Sequence, residues 1–92
     1  MDKELEIWVV TPSGSEFLLA ELKSVLTEDG KDRMWFCCKE GEEPYRLPLT
    51  SPSPNQALRV WLCDHALPIL VARGNELRIK RSEKASIWEP KP

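Results

Sequence analysis

The residues best equipped for chemistry are three cysteines and one histidine. Cys37 and Cys38 are adjacent in "MWFCCKE", and Cys63 and His65 stand two apart in "WLCDHAL". Thiolates and imidazole are the common ligands of structural zinc, and a thiol beside an imidazole is the usual pair for nucleophilic catalysis. The spacing argues against both. In a strand, neighbouring side chains point to opposite faces, so Cys37 and Cys38 diverge. On a helix, residues two apart also diverge, which separates Cys63 from His65. No paired CxxC, nucleophile elbow, phosphate loop or zinc-protease signature is present. "PSGS" precedes an expected helix, but Glu16 in its first turn would repel an anion. The expectation is therefore no enzyme, no cofactor and no metal, with three free thiols.

The elements that position these residues can be read from periodicity. "ELEIWVV" is rich in β-branched and aromatic residues and stops at Thr11-Pro12, so it reads as a strand. In "SGSEFLLAELKSVLTEDG", Ser13 and Glu16 have capping-box spacing. Leu18, Leu19, Leu22, Val25 and Leu26 then recur at helical intervals before Gly30. A helix is the reading preferred over 14–29; a strand of a meander, turning at Asp29-Gly30, is the rival. "RMWFCCK" and "YRLPLT" read as a hairpin around "EGEEP". "SPSPNQALRVWLCDHAL" reads as a second helix. Ser53 and Gln56 have capping-box spacing, Pro54 is at the first helical position, and Leu58, Trp61, Leu62 and His65 share a face. "ILVARGNELRIKR" reads as two strands around Gly74-Asn75, the second pairing with the first.

The expected fold is α+β, a single small domain ordered β-α-β-β-α-β-β. This is a ferredoxin-like two-layer sandwich with an extra C-terminal strand. The domain spans residues 1–82, and 83–92 form a tail, either disordered or packed back on the sheet through Ile87 and Trp88. At 92 residues, with 41% hydrophobic and 30% charged residues, the chain suits one modest core rather than a disordered segment. No apolar run reaches the length of a membrane span, and "MDKELEIWVV" lacks the shape of a signal peptide, so the chain reads as cytoplasmic.

Two helices on one face leave the other face of the sheet open. Leu5, Ile7 and Val9 are expected to face the helices, because Glu4 and Glu6 should face water. That sends Trp8 and Val10 outward. Met34, Phe36, Cys38, Leu77 and Ile79 are expected in the core. Arg33, Trp35, Cys37, Lys39, Arg78 and Lys80 then point outward. Trp8, Val10, Arg33, Trp35, Lys39, Arg78 and Lys80 thus compose the candidate partner-binding face, with the tryptophans as anchors.

The leading expectation is a non-enzymatic protein–protein interaction module, binding another protein or a second copy of itself. Two alternatives compete. Net charge is −2 overall, but residues 1–50 carry eleven acids against six bases, and 51–92 carry four against seven. Glu28, Asp29, Asp32, Glu40, Glu42 and Glu43 could form an acidic surface that occupies the basic channel of a nucleic-acid-processing enzyme, as some phage-encoded inhibitors do. Single-stranded nucleic acid could instead stack on the open face. The sequence pI near 5.4 weighs against that reading.

Overall fold

The computed structural model describes residues 1–66 and 74–82. They form a five-stranded antiparallel sheet with one short helix, a small mixed α+β domain. The strands are β1 (Asp2–Val10), β2 (Glu16–Leu26), β3 (Arg33–Cys38), β4 (Tyr45–Thr50) and β5 (Glu76–Arg81). Helix α1 (Pro54–Trp61) follows β4 and runs into a π-helical turn over Leu62–Ala66. The sheet order is β4-β3-β2-β1-β5, a meander of four strands with β5 added beside β1. The strand expected over 69–73, its pairing with β5, and the tail 83–92 lie outside the described residues.

The first expected helix is a strand. β2 pairs with β1 on one side and with β3 on the other. Two hydrogen-bonding neighbours outweigh a local preference for helix. With it goes the ferredoxin-like order, because the described elements run β-β-β-β-α-β. The misreading has a physical cause. The register slips by one residue between Ile7 and Trp8, whose partners are Ala20 and Leu18, which leaves Leu19 as a β-bulge. An alternating pattern with one extra residue places apolar side chains at 18, 19 and 22, which imitates a helical stripe. The Ser13–Glu16 spacing serves a turn instead of a cap. Gly14 has φ 90°, its N–H donates to the Thr11 carbonyl at 2.9 Å, and the Thr11, Ser13 and Ser15 hydroxyls hydrogen-bond across the same turn.

The core lies between the sheet and α1. It joins Leu5 and Ile7, Ala20 and Leu22, Trp35 and Cys37, Leu47, Ala57 and Trp61, with Leu58, Leu62 and Leu77 packed against it. The expected inward set on β1 is thus found. The helix also stands where expected, but its cap differs. Ser53 makes no side-chain capping bond; the Ser51 hydroxyl accepts the Ser53 N–H at 3.1 Å and donates to Gln56 Oε1 at 2.5 Å.

The face of β3 is the reverse of the one expected. Arg33, Trp35 and Cys37 point toward the helix and are buried, while Met34, Phe36 and Cys38 point away and are half-buried. Each of the three inward side chains takes part in a hydrogen bond. The Trp35 indole N–H donates to the Ser51 carbonyl at 2.8 Å, and the Trp61 indole N–H to the Cys37 sulfur at 3.2 Å. Arg33 Nη1 donates to Ser24 Oγ at 2.8 Å and lies 3.5 Å from Glu4 Oε1, and Ser24 Oγ donates to the same Glu4 oxygen at 2.9 Å. Glu4 is fully buried rather than facing water, because it is the extra residue of a second bulge. Lys3 pairs with Lys23 and Leu5 with Leu22, so Glu4 and Leu5 both turn inward.

Candidate functional site

The face of the sheet opposite α1 is built from the outward residues of five strands. Among the described residues no helix lies on it. Cross-strand pairing arranges these residues into zones. At one end Trp8 sits opposite Leu18, with Val10 beyond. At the other end Val25 sits opposite Met34, and Phe36 sits opposite Lys23 on one side and Arg46 on the other. Seven steps along β2 separate Leu18 from Val25, about 23 Å at strand spacing.

Between the two apolar zones lies an ionic cluster. Lys3 Nζ reaches Glu6 Oε2 at 2.9 Å and Glu21 Oε2 at 3.4 Å. These contacts raise the Lys3 ammonium above its usual pKa; the Glu6 hydrogen bond contributes most. The Glu6 carboxyl is lowered in turn, first by Lys3 and then by the Trp8 indole, whose N–H donates to Glu6 Oε1 at 3.1 Å. Lys80 lies over the Trp8 ring, 4.4 Å from its centroid. Arg78 Nη1 pairs with Glu16 Oε1 at 2.9 Å. Trp8 is therefore held from its edge by a carboxylate and on one face by an ammonium, which fixes its orientation without burying it.

Of the residues expected on this face, the structure places Trp8, Val10, Arg78 and Lys80 there. Arg33 and Trp35 are in the core on the opposite side, and Lys39 stands exposed in the β3–β4 turn. Sequence reasoning missed Leu18, Val25, Met34, Phe36 and Cys38. The alternation at 33–38 pointed to a two-faced strand, but Met34, Phe36 and Cys38 on one side are as apolar as Trp35 and Cys37 on the other, so alternation alone did not choose the face. The signal that could have reversed it is a buried acid for Arg33 to meet, and Glu4 was itself read as exposed.

The acidic residues do not form one patch. Glu28, Asp29 and Asp32 lie in the turn before β3, and Glu40, Glu42 and Glu43 in the turn after it. Six strand residues, about 20 Å, separate the two groups. Asp29 also has a local task. Its Oδ1 accepts the Thr27 hydroxyl at 2.6 Å and the Lys31 N–H at 3.0 Å, bonds that lower its carboxyl below the usual range.

The thiols are dispersed as the strand geometry requires. Cys37 is buried, Cys38 is half-buried on the other face and Cys63 is exposed, all without a disulfide. Burial pushes the Cys37 thiol up, opposed in part by the Trp61 hydrogen bond, so Cys37 is no activated nucleophile. Among the described residues, no three His, Cys, Asp or Glu side chains converge as metal ligands. The native protein should react with a disulfide reagent in a fixed order: Cys63 fast, Cys38 more slowly, Cys37 only on unfolding. Stopped-flow thiol titration of single-cysteine variants reads this directly, and fast native reaction at Cys37 would contradict the packing.

On the helix side, a cavity of about 190 Å³ is lined by Cys37, Lys39, Glu42, Glu43, Tyr45 and His65. A larger groove of about 460 Å³ runs along β2 on the open side, from Leu18 past Glu21 and Lys23 to Cys38 and the β3–β4 turn. Among the described residues no helix is long and apolar enough to cross a membrane. Comparison with known protein families, curated proteins and solved structures gave no match.

Proposed function

We propose that the protein is a non-enzymatic interaction module that binds another protein through the open face of its sheet. The observation that carries this reading is the layout of that face: Trp8 and Leu18 at one end, Val25, Met34 and Phe36 at the other, and an ionic cluster between them. Apolar anchors around fixed charges suit a protein surface, where the anchors supply affinity and the charges set register. Nucleic acid is served less well. Lys3, Arg78 and Lys80 already face carboxylates or an indole, which leaves Lys23 and Arg46 beside Phe36 to meet phosphates.

The test is a Trp8→Ser/Phe36→Ser double variant. Both side chains lie away from the helix-side core, so circular dichroism and melting should change little. Loss of two anchors should weaken partner capture by roughly 30-fold or more, the equivalent of about 2 kcal/mol. Capture is compared for the parent, the double variant and a control at an exposed helix position, Asn55→Ala, with and without nuclease, while sedimentation velocity monitors self-association. A partner retained equally by the double variant would refute the reading. Nuclease-sensitive capture would replace it with nucleic-acid binding, and loss of a dimer alone would identify the second copy as the partner.

A further inference from the structure

The cavity on the helix side has a chemistry of its own, separate from the open face. Its walls come from the end of β3, the β3–β4 turn, the start of β4 and the π-helical turn after α1. Tyr45 and His65 supply two aromatic walls nearly at right angles, 88°, with centroids 6.3 Å apart. His65 is held from behind by Trp61, at 5.5 Å between centroids, and Trp61 is fixed in the core by its bond to Cys37. The π-helical turn adds a residue to the helical repeat just where His65 leaves α1, a device that recurs at functional sites. Tyr45 keeps 56% of its surface exposed although it is one half of this ring pair.

The polar lining chooses the sign of an occupant. Glu42 and Glu43 bring two carboxylates against the single ammonium of Lys39, and the Cys37 thiol stays uncharged in its buried position. The face of the Tyr45 ring carries negative quadrupole density, so this ring and the two carboxylates together favour a cation over an anion. A volume near 190 Å³ is about six times the roughly 30 Å³ share of a water molecule, room for an ammonium head with a short alkyl stem. A purely apolar ligand would bury the carboxylates without compensation. We infer that this cavity is a binding site for a primary or methylated alkylammonium group, such as the end of a lysine side chain on a partner.

The sole histidine and the sole tyrosine of the chain both line the cavity, so the imidazole and phenol ring signals in proton NMR each come from one residue. Titration of the full chain with butylammonium and with tetramethylammonium, at matched ionic strength, should shift both signals saturably. The neutral isostere 1-butanol should not. Glu42→Gln/Glu43→Gln and Tyr45→Leu alter exposed side chains, and each should weaken the ammonium response at least ten-fold with the melting temperature little changed. The inference is overturned if no saturable shift occurs, if 1-butanol shifts the same signals as strongly, or if the two variants bind as the parent does. None of these outcomes bears on the open face, whose variants leave the cavity intact.

Discussion

Trp35→Ala is expected to lower folding stability by about 3 to 5 kcal/mol, the range for removing a large buried aromatic. Trp35 has no exposed surface, sits between Ser24 of β2 and the helix side of the core, and donates to the Ser51 carbonyl. The change would leave a cavity and strip the Ser51 oxygen of its indole donor. Total stabilities of domains this size are about 5 to 15 kcal/mol, so the loss is a large fraction of the whole. Trp35→Phe keeps most of the volume and should cost less than the alanine change. Trp8→Ala, on the open face, should move the denaturant midpoint far less than either. Equal midpoints for Trp35→Ala and Trp8→Ala would mean that β3 presents its other face to the helix.

Arg33→Ala is expected to cost about 3 kcal/mol or more, because it withdraws the guanidinium that faces a fully buried carboxylate. Charge, more than volume, sets this cost. Replacing both partners together, as Glu4→Leu/Arg33→Met, should recover most of the loss, since two apolar side chains need neither desolvation nor pairing. Ser24 then keeps only a hydroxyl to satisfy. Urea unfolding of the two single variants and the double variant measures the coupling. Additive costs would show that Arg33 and Glu4 do not depend on one another.

Both results turn on places where alternation alone misleads. β1, β3, β4, α1 and β5 are legible because their apolar residues alternate or recur without interruption between turn residues. β2 is not, because the bulge at Leu19 shifts its period by one and produces helical spacing. Glu4 is hidden for the same reason: a bulge turns it inward beside Leu5, against the rule that sends Glu6 out. With Glu4 assigned to solvent, nothing in the sequence calls for a buried Arg33, and a β3 that is apolar on both faces can be turned either way. Taking Met34, Phe36 and Cys38 as core exchanged Trp35 for Phe36 in the candidate site. Trp8, Val10, Arg78 and Lys80 escaped the error because β1 beyond Leu5 and β5 keep strict alternation. The Tyr45–His65 cavity was out of reach, since its walls come from elements whose packing no local pattern specifies.

The pairing of β5 with β1 has a consequence for how the chain reaches this state. Strands β1 to β4 join in order, each to its neighbour, through short hairpins that close at little entropic cost. β5 instead pairs with the strand at the other end of the chain, so its contacts form only after a long loop closes. The four-stranded meander is therefore the natural folding nucleus, and β5 docks onto a finished edge. Trp8 acquires its stacked Lys80, and Glu16 its Arg78, only in that last step. The charge pattern of the open face is thereby completed late, and a newly made chain presents the apolar residues of that face before the cations that frame them.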